Sequence, residues 1–362
     1  MQLHSRKINK NLHFTAIDMF SGCGGLSQGL VQAGFILKAA IEIDLKAKET
    51  YELNHPNCHM YHADVRSLSP EQILRDLNIG PGELTLLAGC PPCQGFSRLR
   101  TKNKISSIED SRNDLIFEFI HFISVMKPKM VMLENVPNLA SDERFSNFLE
   151  FLSNNGYYYS YDIVNAANYG VAQRRKRLIL LASKEKKPEM AKRNDKSLHV
   201  RDVIFDIESK VDYQDSIHYL KDKRSPQVID IIKNIPKDGG SRKDLPEKYH
   251  LDCHKKISGF FDVYGRMSWD DVSPTITSGC NNPSKGRFLH PVEDRVISLR
   301  EAAMLQGFPL RYKFDIKHGK GAIALMIGNA LPPPLIEAHA KSLLNCIVNN
   351  ESDSITDKNN SL

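Results

Sequence analysis

An apolar run from Phe14 to Phe20 stops at Ser21-Gly22-Cys23-Gly24-Gly25, and Leu26, Leu30 and Val31 then recur at helical spacing. Strand, glycine turn and helix together open a nucleotide-type crossover. The glycines let the backbone come close to a ligand, and the helix N-terminus behind them is a polar cradle. A second run, Phe35 to Ile43, ends at Glu42 and Asp44. An acid about 20 residues after such glycines commonly bonds ribose hydroxyls. Asp64 follows another short segment and is a candidate for an adenine amine. A nicotinamide site stays open at this point. Against it, the glycines do not form a clean G-x-G-x-x-G, and Asp18 sits inside the first strand.

The chain has 362 residues, room for two domains at about 100–200 residues each. Apolar content of 41% and charged content of 25% are those of an ordinary globular protein. Seven cysteines without a framework spacing point to reduced thiols and a cytoplasmic setting. No apolar run approaches the ~18 residues that would span a membrane, and Met1 to His13 lacks the apolar core of a signal peptide. A net charge of +6 permits a polyanionic partner without demanding one.

The apolar run Leu84 to Ala88 leads into Gly89-Cys90-Pro91-Pro92-Cys93-Gln94-Gly95-Phe96-Ser97. Two prolines stiffen this turn, since each fixes its own φ and restrains the residue before it. The turn delivers Cys93 at the rim where α/β sheets hold ligands, the placement that a thiol nucleophile needs. Cys90 and Cys93 also spell a redox C-x-x-C or half of a zinc site. Zinc is disfavoured, because the nearest further ligands, His250, Cys253 and His254, are wrongly spaced for a finger. The basic stretch Arg98 to Lys104 reads as a solvated loop or as a lid that closes on a phosphate backbone.

A helical apolar face follows from Asp114 to Met126, then the strand Met130 to Leu133, which ends at Glu134-Asn135-Val136. Phe145 to Leu152 reads as a helix and Tyr157 to Val164 as a strand. Gln173-Arg174-Arg175-Lys176-Arg177 precedes the strand Leu178 to Ala182, and alternation points Arg175 and Arg177 to one side. From Lys184 the texture becomes polar and loop-rich. Ser273 to Gly279 looks strand-like, Leu299 to Leu305 helical, and Met326 to Leu331 leads through prolines to a last helix, Leu335 to Val348. The polar tail 351–362 is expected to be disordered.

As an ordered set these motifs resemble those of the DNA cytosine-C5 methyltransferases. Asp18 to Gly25 is similar to the family's cofactor motif, Pro91-Pro92-Cys93-Gln94 to its nucleophile motif and Glu134-Asn135-Val136 to its acid motif. Gln173 to Arg177 is similar to its Q-R-R-x-R motif, and Arg295 to Pro309 with Gly328-Asn329 to the last two. The resemblance runs from about residue 14 to 335. It implies a doubly wound, Rossmann-like α/β sheet of the S-adenosylmethionine-dependent methyltransferases. It implies a large domain at 12–183, a small target-recognition domain at 184–290, a hinge at 291–325 and a C-terminal helix at 326–350 that returns to the large domain.

The same resemblance implies S-adenosylmethionine as cofactor, held by Phe20, Ser21, Gly22, Gly24, Gly25, Glu42, Ile43, Asp64, Pro91, Leu115 and Asn329. Ile43 departs from relatives that stack an aromatic ring there, and Ala330-Leu331 departs from their Ser-Val. Cys93 is the implied nucleophile and Glu134 the acid, with Arg175 and Arg177 at the base. Gln94, Ser97, Arg98, Arg100 and Thr277 are the implied contacts to double-stranded DNA. Cys90 becomes a replaceable neighbour, and no metal is called for. A monomer is expected, with a companion restriction endonuclease acting separately. Three rivals stay open: a transfer-RNA methyltransferase of the same fold, a C-x-x-C redox protein, and an inactive DNA-binding relative.

Overall fold

The computed structural model describes residues 13–92, 115–221, 223–249 and 262–359. Seven strands form one sheet: β1 Thr15–Met19, β2 Ile36–Glu42, β3 His59–His62, β4 Leu86–Gly89, β5 Met130–Asn135, β6 Tyr158–Asn165 and β7 Lys176–Ser183. Their order is β3-β2-β1-β4-β5-β7-β6. The first five in that order are parallel, and β7 runs antiparallel to both neighbours. The central strands are buried and mostly apolar because helices cover both faces of the sheet, so neither side of a strand meets water. The chain builds outward from β1 to β3 and then crosses back to β4. That reversal makes a crevice at the carboxyl ends of β1 and β4, the usual ligand site of such sheets.

One face is covered by α1 (Gly25–Gln32) and α10 (Pro333–Asn359). Leu26, Leu30, Leu335, Ile336 and Leu343 pack there with Ala16 and Ala88 of the sheet. The approach is close: a Cβ on Gly29 would stand 2.6 Å from the Ile336 Cβ and 2.6 Å from the Pro333 carbonyl oxygen. The other face carries α3 (Pro70–Asp76), α4 (Leu115–Met126) and α5 (Glu143–Asn154), whose Ile73, Phe119, Phe122 and Phe148 meet Ile17, Leu87 and Leu133. A further cluster draws on residues from Val200 to Ile327, among them Trp269, Phe288, Leu299 and Ile323. The segments 184–290 and 291–325 therefore share one core. It includes the short helices α6 (Val200–Ile204) and α7 (Pro226–Asn234), then α8 (Leu299–Leu305) and α9 (Lys320–Asn329).

The α/β doubly wound sheet expected from the sequence is the sheet observed. Four local expectations differ. Helix α2 (Leu45–Asn54) was not foreseen, because only Ala47, Thr50 and Tyr51 are buried and the apolar stripe is thin. Helix α9, for which the sequence gives no helical expectation of its own, buries Ile323, Ala324, Met326 and Ile327. Ser273 to Gly279 makes no ladder beyond the single bridge between Gln173 and Ser273. Pro274, which has no N–H to donate, interrupts it. Helix α10 extends to Asn359, past the end at Val348 expected from the sequence, and no Gly or Pro follows Pro334 to stop it. Among the described residues, no helix is long and apolar enough to cross a membrane.

Candidate active site

The expected cofactor residues lie along one edge, at the carboxyl ends of the parallel strands. After Met19 the backbone turns left-handed at Phe20 (φ 62°) and again at Gly22 (φ 54°) and Gly24 (φ 94°), and α1 begins at Gly25. A left-handed non-glycine residue is uncommon and costs about 1–3 kcal/mol, so the surroundings must hold Phe20 in place. They do so from β2. The Gly22 N–H donates to Glu42 Oε2 at 2.7 Å, and the Asp44 N–H donates to Glu42 Oε1 at 2.7 Å. Burial pushes the Glu42 carboxyl up, against those two hydrogen bonds that lower it. Glu42 is thus a brace of the glycine turn as well as the candidate ribose ligand. A Cβ built on Gly22 would meet nothing within 4 Å, so the turn faces open space.

From behind, the Tyr312 hydroxyl donates to the Cys23 carbonyl at 2.5 Å. Asn54 grips the next residue, Lys313, through both its backbone N–H and its carbonyl. Ile43 is 62% exposed at the rim. Asp64 is engaged by Arg66 in a two-pronged ion pair, which holds its carboxyl down at about 2. Leu115 is buried at the start of α4, and Asn329 is exposed at the end of α9.

Beneath this turn lies Asp18, fully buried, with the Ser27 hydroxyl donating to Oδ2 at 2.7 Å and Oδ1 without a hydrogen-bond partner among the described residues. Burial is the main cause that pushes its carboxyl up to about 7. Because the folded value exceeds the ordinary 3.8, the stabilising proton is fully present below pH ~4 and is lost as pH rises through about 7. Between pH 5 and 8 this should cost the wild type roughly 3 kcal/mol of unfolding free energy. An Asp18→Asn variant has no such proton, and urea titrations at the two pH values should show its stability falling by that much less. Equal losses in both proteins would contradict the assignment.

The second cluster forms where β4, β5 and β7 meet. Because β7 is antiparallel, its beginning lies beside the end of β5, with Glu134 opposite Ile179 and Asn135 opposite Leu178. Arg177 reaches Glu134, its Nε lying 2.9 Å from Oε1. Oε1 nevertheless has no aligned hydrogen-bond donor among the described residues. This contact is therefore an ion pair rather than an aligned hydrogen bond. Glu134 is 1% exposed, and burial raises its carboxyl above the usual range, opposed chiefly by Arg177. Arg175 is also on this side, but its guanidinium is spent on backbone: it donates to the Ile276 carbonyl at 3.1 Å and the Gly328 carbonyl at 3.1 Å. Burial pushes it down to about 9. It ties β7 to the 276 segment and to α9, the neighbours of exposed Thr277 and of Asn329.

Two residues with no assigned role turn out to shape the site. Asn135 Nδ2 donates to the Pro91 carbonyl at 2.9 Å and so fixes the proline turn to β5. Gln173, fully buried, donates to Leu305 O and Gln306 Oε1 and accepts the Ile276 N–H. Both stand inside the quoted motifs, which was the signal for them. Pro91 is at the mouth of the site, whereas Cys93, Gln94, Ser97, Arg98 and Arg100 lie outside the described residues.

Residues 14–345 match the model of the C-5 cytosine-specific DNA methylase family. The chain is 37% identical over 347 residues to the type II methylase M.HgiDII of Herpetosiphon aurantiacus, covering 90% of this chain and 94% of that protein. It is 30% identical over 344 residues to the type II methyltransferase M1.HphI of Haemophilus parahaemolyticus, covering 92% and 87%. Among solved structures, a putative DNA modification methyltransferase of an E. coli prophage superposes with a TM-score of 0.67 at 26% identity, over 92% of this chain and 99% of that one. With that match spanning the sheet, the glycine turn and the Glu134 cluster alike, the chain belongs to the C-5 cytosine-specific DNA methylase family and is a DNA cytosine-5 methyltransferase.

Proposed function

We propose that this protein moves a methyl group from S-adenosylmethionine to C5 of a cytosine flipped out of a specific duplex DNA site, through a covalent bond between Cys93 Sγ and C6. The observation that carries the reading is Glu134. It is a buried carboxyl with its pKa raised, paired with Arg177, one strand away from the Pro91-Pro92 turn that leads to Cys93. The open, left-handed turn at Phe20 to Gly22, with Glu42 and exposed Ile43 beside it, fits the adenosine end of the cofactor. Phe20, Ser21, Gly22, Gly24, Gly25, Glu42, Ile43, Asp64, Pro91, Leu115 and Asn329 are the residues that would hold it. When bound it supplies an electrophilic methyl group.

Cytosine C5 is too poor a nucleophile to react unaided. A thiolate that adds to C6 places negative charge on the ring and makes C5 enamine-like. Glu134 meets that charge at N3 and the exocyclic amine, donating a proton or hydrogen bond as it develops. Its raised pKa suits this, because burial makes the carboxyl take up a proton more readily than an ordinary glutamate does. Arg177 holds Glu134 and faces the base from the β7 side. Arg175 holds the segment that carries Thr277. Loss of the C5 proton then expels Cys93. The target base must leave the helix to reach this depth, at a cost of a few kcal/mol. Gln94, Ser97, Arg98, Arg100 and Thr277 are the proposed DNA contacts, and residues 184–290 the proposed reader of the site. The type II methylases that the chain resembles make protection from a companion endonuclease the fitting role.

A labelled methyl group should pass to duplex DNA and not to transfer RNA under the same conditions. Preferential labelling of transfer RNA would replace this reading with the other branch of the fold.

A further inference from the structure

The strand register places one more side chain on Glu134. Gly89 of β4 pairs with Leu133 of β5, so the next pair along the two parallel strands is Cys90 and Glu134. The Cys90 N–H donates to the Met19 carbonyl at 3.3 Å, which anchors its backbone to the end of β1. From there the thiol donates to Glu134 Oε2 at 2.8 Å. The two carboxyl oxygens are thereby distinguished. Among the described residues, Oε2 takes the thiol and Oε1 faces the Arg177 guanidinium without an aligned hydrogen bond. A hydrogen bond at one oxygen and an ion pair at the other together stop a carboxyl group from rotating, and a buried carboxyl with one oxygen unsupported loses that definition. The sequence reading of Cys90 as a replaceable neighbour does not suit this geometry.

We propose that Cys90 is a positioning residue for the methyl-transfer reaction, whose thiol fixes the carboxyl of Glu134 so that Oε1 is presented to the flipped base. The proposal rests on the reading of Glu134 given above. Among the described residues, the charged and titratable groups that face Glu134 are Arg177 of β7, Arg175 just before β7 and Cys90 just after β4. Of these, Cys90 is the one that bonds Oε2. Its hydrogen bond lowers the Glu134 pKa, so removing it should raise that pKa further.

The experiment compares wild type, Cys90→Ala, Cys90→Ser and Cys93→Ser by single-turnover transfer of labelled methyl to duplex DNA across pH, with cofactor and DNA affinities and thermal unfolding measured alongside. Cys90→Ala should slow the single-turnover rate about tenfold, with both affinities within about twofold of wild type. The limb of its pH–rate profile governed by Glu134 should move to higher pH. Cys90→Ser retains a donor and should restore the rate to within about threefold and return the profile toward its original position. The proposal is overturned if Cys90→Ala turns over like wild type with an unmoved profile. It is equally overturned if Cys90→Ala loses thermal stability and rate together and Cys90→Ser rescues neither, because that is the pattern of packing alone. Failure of the underlying reading is distinguishable: wild type itself would not label the DNA, or Cys93→Ser would label it as well as wild type does.

Discussion

Replacement of Cys93 by Ser should abolish methyl transfer, by at least about 10⁴-fold, while cofactor and DNA affinities stay within a few-fold of wild type. The size of the effect follows from proton chemistry. A thiol with an ordinary pKa of about 8.5 reaches its anion readily near neutral pH, and an electropositive site lowers that value further. Arg177 and Arg175 supply positive charge on the β7 side of this cluster. A serine hydroxyl gains nothing comparable from the same surroundings and adds poorly to an aromatic carbon. In the proposed reading binding rests on other groups, the glycine turn for the cofactor and residues 98–104 and 184–290 for DNA, so it should survive. A Cys93→Ser enzyme with near-normal turnover would remove the covalent step from the account.

The second large effect is expected at Glu134. Glu134→Gln keeps the shape of the side chain but loses its charge and its transferable proton. The single-turnover rate should fall about 10²–10³-fold, with a much smaller change in DNA affinity. The geometry adds a second cost. Glu134 is hydrogen-bonded by Cys90 at Oε2 and ion-paired with Arg177 at Oε1. A carboxamide presents one oxygen and one N–H₂ group, so one of those neighbours must face another donor. Removing one partner of a buried ion pair is typically destabilising by several kcal/mol, so thermal unfolding should register the change as well. Stopped-flow or quench measurements separate chemistry from folding, and an unchanged single-turnover rate in a folded variant would contradict the role of Glu134.

Much of this site was legible in the chain because its parts are short and local. The glycine turn is a contiguous string, and its positive φ values at Gly22 and Gly24 are what the glycines announce. Glu134 was marked by its place at the end of an apolar strand, which β5 confirms. The placing of Arg177 beside it was half legible: alternation put Arg175 and Arg177 on one side, but not which of them would reach the acid. That choice depends on the antiparallel register of β7 and on Ile276 and Gly328, whose carbonyls claim Arg175. The same limit applied to Cys90. A one-residue register between β4 and β5 puts its thiol on Glu134, and no local pattern carries cross-strand register. Helices α2 and α9 escaped notice for a different reason. Their apolar stripes are thin or mixed with Gly and Ala, so tertiary burial, not periodicity, makes them helices.

Asp18 shows a further kind of information that is absent from the string. The sequence placed it in a strand and attached it to a motif. Only the packing of α1 and α2 over β1, with Ser27 and Tyr51 beside it, shows that the carboxyl is sealed from water. A buried acid beneath the glycine turn makes folding stability, rather than chemistry, depend on pH there.

The central claim is that this chain methylates C5 of cytosine at a defined duplex site by means of Cys93. Bisulfite sequencing of DNA from cells that express the wild type, set against cells that express Cys93→Ser, tests it most directly. The account predicts cytosines fully protected from conversion at one recurring sequence in the first sample and at none in the second. Complete conversion in the wild-type sample, or the same protected positions in both, would contradict it.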